Sequence, residues 1–200
     1  MVLSILICTV VDRRTLFEEL YKEFDKQIKE NSLEGKVEVL FKEDNKEISV
    51  GRKRQLLLDE SKADYIVYFD SDDFPCPTYV IDIYDAIVKN NPDCVGFLIK
   101  MTTDGGNKQV CCHSLQYKVW DSGVDGYDYV RNVTHFNPVK RELALKVGFA
   151  DKRFGEDKEY SDNLTALCET EVFIDKEIFH YRFSTAETSD KKYGFDKDKN

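Results

Sequence analysis

The feature that most constrains this chain is an alternation of strand and helix patterns over its first 70 residues, closed by a cluster of carboxylates. Residues 4–11 (SILICTVV) are a short, continuous, β-branched apolar run, the pattern of a strand buried on both faces of a parallel sheet. From 15 to 29, Leu16, Phe17, Leu20, Tyr21, Phe24 and Ile28 recur at spacings of three and four while charges fill the other face, which predicts an amphipathic helix. A second strand is read at 36–41, a basic helix at 51–61 and a third strand at 64–69. That order predicts a doubly wound, Rossmann-like α/β unit. Asp70-Ser71-Asp72-Asp73 follow at once, at the carboxyl end of a strand, where open α/β sheets place their ligands.

Downstream the pattern predicts a helix at 79–89, a strand at 94–101, and a strand or hairpin at 109–120 after the turn Asp104-Gly105-Gly106. Short helices are expected at 138–147 and 160–168, and late strands at 171–174 and 177–183. A length of 200 residues suits one domain, read as 1–185, with 186–200 a charged tail expected to fray. The formal net charge of −9 repels nucleic-acid backbones, so no nucleic-acid partner is expected. A divalent cation can nevertheless join carboxylates to the phosphates of a nucleotide. No apolar run approaches the roughly 20 residues that span a bilayer. The first has no basic leader, so a cytoplasmic protein is expected, with any membrane contact peripheral. The six cysteines form no CxxC pair and read as reduced packing residues.

Four constellations carry chemistry. The Asp70-Ser71-Asp72 triplet is short enough to arise by chance, as Asp196-Lys197-Asp198 illustrates, but it directly follows an apolar strand. Carboxylates there repel one another unless a hard cation such as Mn²⁺ or Mg²⁺ lies between them; the bland reading is a solvated turn. In Phe154-Gly155-Glu156-Asp157, a carboxylate at a loop–helix junction suits a general base, or else a helix cap. His180, in EIFHYRF, reads as a core residue or a metal ligand, and His113 and His135 as core residues. Gly51-Arg52-Lys53-Arg54, the one local concentration of positive charge, suits a phosphate at a helix start or a solvated helix face.

The ordered set SVGRKRQLLL, YIVYFDSDD, THFNPVKRELALKVGF, FGEDKEYSDNL and FHYRFS closely resembles glycosyltransferase family 2 with the GT-A fold, from Ser4 to about Ser184. The resemblance implies a three-layer α/β/α domain with a mainly parallel central sheet. It assigns Thr9 and Asp44 to the nucleotide base and ribose and places Arg54 near the donor phosphates. Asp72 becomes the direct metal ligand, and Asp70 a contact to the ribose or to a metal-bound water. Asp157 becomes the catalytic base, Glu156 its neighbour toward the acceptor, and His180 a further metal ligand. The activity implied is Mn²⁺- or Mg²⁺-dependent, inverting transfer from a nucleotide-diphosphate sugar, UDP favoured, to an acceptor hydroxyl. A glycan, a lipid-linked sugar or a protein fits as acceptor. A nucleotidyltransferase releasing pyrophosphate, or a non-catalytic module binding nucleotide-sugar or glycan, stands as the alternative. Residues 101–136, short and Tyr-rich, depart most from the family pattern, so the acceptor pocket is the part least defined by the resemblance.

Overall fold

In the computed structural model, which describes residues 1–185, strand β1 (Leu3–Val10) is buried along nearly its whole length and serves two different cores. Successive strand side chains point to opposite faces, so Leu3, Ile5 and Ile7 join one apolar cluster while Leu6 and Cys8 join another. The first cluster is closed by α1 (Arg14–Glu30) and α3 (Tyr79–Asn90), through Phe17, Leu20, Phe24, Val80, Ile83 and Ile87. The second is closed by α2 (Val50–Glu60), α4 (Arg141–Val147) and α5 (Glu156–Thr165), through Leu57, Leu58, Ala144, Tyr160 and Leu164. Helices on both faces of one sheet make the three-layer α/β/α arrangement expected from the sequence. The tail expected at 186–200 lies outside the described residues.

The sheet is parallel at one end, where β1 lies between the edge strand β2 (Val37–Asp44) and β3 (Tyr65–Asp70). Beyond β3 it becomes mixed. A two-residue strand β9 (Val139–Lys140) runs antiparallel to β3 and to β5 (Cys94–Thr103), and β6 (Gly106–His113) turns back along β5. The order is β2-β1-β3-β9-β5-β6-β8-β7, with β7 (Asp121–Val124) and β8 (Tyr127–Arg131) a hairpin at the far edge. The last strand, β10 (Glu171–Phe183), pairs parallel with β5 and antiparallel with the two-residue β4 (Phe74–Pro75). β4 and β10 thereby hold the segment after β3 beside the chain's late residues.

Three elements differ from the sequence expectation. The late strands predicted separately are one continuous strand whose register shifts between Ile174 and Glu177 and again before Phe179, so the break in alternation is an irregularity within β10. The strand or hairpin expected at 109–120 is β6, which forms a hairpin with β5 across the turn at Asp104-Gly105 but ends at His113, and a second hairpin follows at 121–131. Its two-residue tip, Asp125-Gly126, has φ of 54° and 84°, the left-handed backbone that such a turn demands. Helix α5 begins four residues before the predicted start at 160, because its first turn carries Glu156, Asp157 and Glu159 where a pattern search looks for apolar residues. Acidic side chains suit that turn, next to the unpaired N–H groups of a helix start.

Candidate active site

Beyond the carboxyl ends of β1 and β3 lies a crevice of about 550 Å³. Thr9 and Val10 at the end of β1, Asp70 at the end of β3, the loop leading into α5, and the end of β10 all contribute to its wall. The strand ends therefore bring Thr9, Arg54, Asp70, Asp72, Glu156 and Asp157 together at one site. Cys8 lines it too, but burial pushes its thiol up to about 12, which leaves it a packing residue. All six cysteines are free, and all but Cys76 are buried, as expected of reduced packing residues.

The centre of the wall is Arg54, buried at 3% exposure on α2. Its Nη1 donates to Glu156 Oε1 at 2.5 Å, and its Nη2 donates to Asp70 Oδ1 at 3.1 Å and lies 3.1 Å from His135 Nε2. A guanidinium only donates, so His135 Nε2 accepts and the imidazole is neutral with its proton on Nδ1. Burial, with the charge of Arg54 and then His113 behind it, holds that ring well below the ordinary histidine range. Burial also raises the Glu156 carboxyl, against the opposing pull of Arg54. The basic segment of α2 thus reaches the crevice through Lys53 and Arg54, whose charges are already engaged by the protein, while Arg52 is exposed. Lys53 donates to Thr9 O at 3.0 Å and forms an ion pair with Asp44.

Asp44 itself is not among the residues of the crevice wall; besides Lys53, its carboxylate accepts from Ile48 N at 2.9 Å. Burial raises the Asp44 carboxyl, but those two bonds outweigh it and hold the group below its ordinary value. Asp72 faces the crevice and pairs with Arg13 at 2.9 Å. His180 does not line the crevice. Its Nε2 lies 2.9 Å from Thr102 Oγ1, while the next residue of β10, Tyr181, faces the site. His180 falls one residue short of the run from Tyr181 to Ser184, all of which lines the crevice, so position along β10 separates the two. Sequence reasoning also passed over Arg13, Arg153 and Arg182, which all line the crevice. Arg13 had a signal in its place directly after the first strand, whereas Arg153 had none.

A second cavity of about 230 Å³ adjoins the first and shares Arg54, Asp70, Asp157 and Tyr181 with it. Its other walls are mainly apolar and aromatic: Ile99, Met101, Phe136 and Trp120, with Arg131 stacked 4.9 Å from the Trp120 ring. Asp157, at the start of α5, stands where the two spaces meet. Gly155 precedes that helix with φ of 76°, a conformation that leaves the loop free to turn sharply into it. Among the described residues no group of three or more His, Cys, Asp and Glu side chains is gathered tightly enough to enclose a metal ion. Asp70 and Asp72 offer two carboxylates on one wall, which suits a hard cation whose remaining ligands are phosphate oxygens and water.

Sheet, helices and crevice together define a GT-A-type α/β domain. The profile described as "Glycosyl transferase family 2" matches residues 15–179, and the chain belongs to that family. No curated protein matches it by sequence. Among solved structures it is similar to S. aureus TarS 1–349 in complex with UDP-GlcNAc, with TM-score 0.64 and 13% identity over 91% of this chain and 58% of that one. The same fragment in complex with UDP gives TM-score 0.66 and 15% identity over 92% and 61%. Full TarS gives TM-score 0.64 over 96% of this chain and 38% of its own length. The chain thus spans about three-fifths of the TarS fragment, and at these identities the likeness is one of fold.

Proposed function

We propose that this domain transfers a sugar from a nucleotide-diphosphate sugar, a UDP-sugar first, to an acceptor hydroxyl with inversion at the anomeric carbon. The observation that carries the reading is the placement of Asp157 where a large polar crevice meets a smaller aromatic cavity. The crevice has room and charge for a nucleoside diphosphate, and the adjoining cavity offers aromatic faces to sugar or acceptor rings. Membership of family 2 and the likeness to a protein crystallised with UDP and UDP-GlcNAc support the same reading. Asp70 and Asp72 would hold Mn²⁺ or Mg²⁺. Such an ion neutralises charge developing on the departing diphosphate. Asp157, whose Oδ1 accepts from Lys158 N at 2.8 Å, takes the proton of the attacking hydroxyl. Arg54 positions it indirectly, by tying Glu156, its neighbour on α5, to Asp70 on β3. Holding donor and acceptor together supplies much of the acceleration.

The test uses UDP-GlcNAc and an acceptor panel with Mn²⁺, with Mg²⁺ and with EDTA. Asp157→Asn should lower turnover by about 10³-fold or more, within the range of lost general-base catalysis, while calorimetry shows unchanged UDP affinity. Formation of a nucleoside diphosphate is expected. Release of pyrophosphate, or full activity in the variant, would overturn the reading.

A further inference from the structure

Resting on that reading, we propose that Arg153 and Arg182 form a clamp that holds the donor diphosphate without any metal. Six basic side chains line the crevice. Four are paired with carboxylates: Arg13 with Asp72, Lys46 with Asp12, Lys53 with Asp44, and Arg54 with Asp70 and Glu156. Arg153 and Arg182 form no such pair among the described residues, and both are held by main-chain oxygens instead. Arg153 Nη2 donates to Lys46 O at 3.1 Å and Glu47 O at 3.2 Å. Arg182 donates from Nε to Asp72 O at 2.8 Å and from Nη2 to Asp73 O at 3.4 Å, with its guanidinium 5.2 Å from the centre of the Phe74 ring.

Neutral carbonyls fix where a guanidinium sits without closing an ion pair on it, although Arg182 N also donates to Asp73 Oδ1 at 3.0 Å. They also leave part of its five-donor fork for another acceptor. In a chain of net charge −9, two such groups lining one crevice call for an anion, and a planar fork suits phosphate oxygens in pairs. Their positions span the site. Arg153 comes from the loop before α5 and is tied to the loop after β2, whereas Arg182 comes from β10 and is tied to the turn after β3. A diphosphate between them would lie against Asp70 and Asp72, whose negative charge the two arginines offset. The clamp thus adds to donor binding independently of what the carboxylates hold.

Isothermal calorimetry with UDP and with uridine, each in EDTA and in Mg²⁺, tests the clamp on the intact chain. In EDTA the wild type should bind UDP, and the Arg153→Gln/Arg182→Gln pair should bind it about tenfold or more weakly, as loss of charge-assisted phosphate contacts implies. Uridine affinity and melting temperature, which report the fold, should not move. Arg153→Lys/Arg182→Lys, which keeps the charge, should recover part of the loss. UDP affinity in EDTA within twofold of wild type in the Gln pair would overturn the clamp. So would UDP binding by wild type that requires Mg²⁺, and in either case the sugar-transfer reading stands. Wild type that binds no UDP even with Mg²⁺ removes that reading itself.

Discussion

At Arg54, one guanidinium on α2 is shared between Glu156 and Asp70 and bonded to a neutral histidine, although Glu156 lies 102 positions further along the chain. Removing one partner from a buried charge group leaves the others uncompensated, which costs about 3–5 kcal/mol. Arg54→Met should therefore lower the unfolding free energy by about that amount, read from urea midpoints. Glu156→Gln should cost less, because its amide oxygen still accepts the Nη1 bond. A loss below about 1 kcal/mol in Arg54→Met would show the network to be weakly coupled. The segment GRKR pointed to the site, and the family resemblance placed Arg54 there near the donor phosphates. Its partners could not be read, because a side chain's hydrogen bonds depend on which distant elements the fold brings beside it. The same holds for Asp44, whose carboxylate meets Lys53 nine residues along only because α2 packs back over the end of β2.

Among the elements, the contact between α2 and the loop before α5 decides where Asp157 sits. Ser49 caps α2 by accepting from Arg52 N at 3.0 Å and donates from its hydroxyl to Asp151 Oδ1 at 2.5 Å. Gly51 N donates to Lys152 O at 3.1 Å, and a Cβ at Gly51 would lie 2.0 Å from Ala150 O. Gly51 is there because the two backbones approach too closely for any side chain. Gly51→Ala must push the loop outward, at about 1–3 kcal/mol, and displace Glu156 and Asp157 with it. Turnover should fall more steeply than stability, and parallel measurement of the two checks this. The elements themselves were largely legible: β1, α1, β2, α2, β3 and α3 lie close to their predicted bounds, because each carries an unbroken apolar run or helical periodicity. The hairpin of β7 and β8 was missed although Asp125-Gly126 is a turn signal, since β7 (DSGV) is short, mostly exposed and lacks apolar alternation.

For the whole molecule, two buried histidines contribute to the response to acid. Burial, then the charge of Arg131, draws the His113 imidazole down to about 3, and its Nδ1 lies 3.1 Å from Thr134 Oγ1. His135 is depressed in the same direction. In the unfolded chain both protonate near pH 6.5, so their contribution is complete above that pH and is lost as pH falls toward the folded values. The histidine contribution should decline from about pH 6.5 downward at up to about 1.4 kcal/mol per pH unit for each proton, while the buried Asp73 and Glu156 carboxyls, raised on folding, act in the opposite direction. Urea midpoints across pH 7 to 4, compared between wild type and His113→Asn, isolate this contribution: the variant should lose less stability toward acid, and an unchanged slope would contradict the assignment. No described helix is long and apolar enough to cross a membrane. By itself the sequence determined the layering and the family, because apolar periodicity and ordered motifs are local properties that survive any detail of packing. Only the tertiary structure decided which charges face the crevice and which neutralise one another. It turned His180 toward Thr102, gave Lys53 to Asp44, and left Arg153 and Arg182 held by neutral carbonyls, since ion pairing depends on distances between segments far apart in the chain.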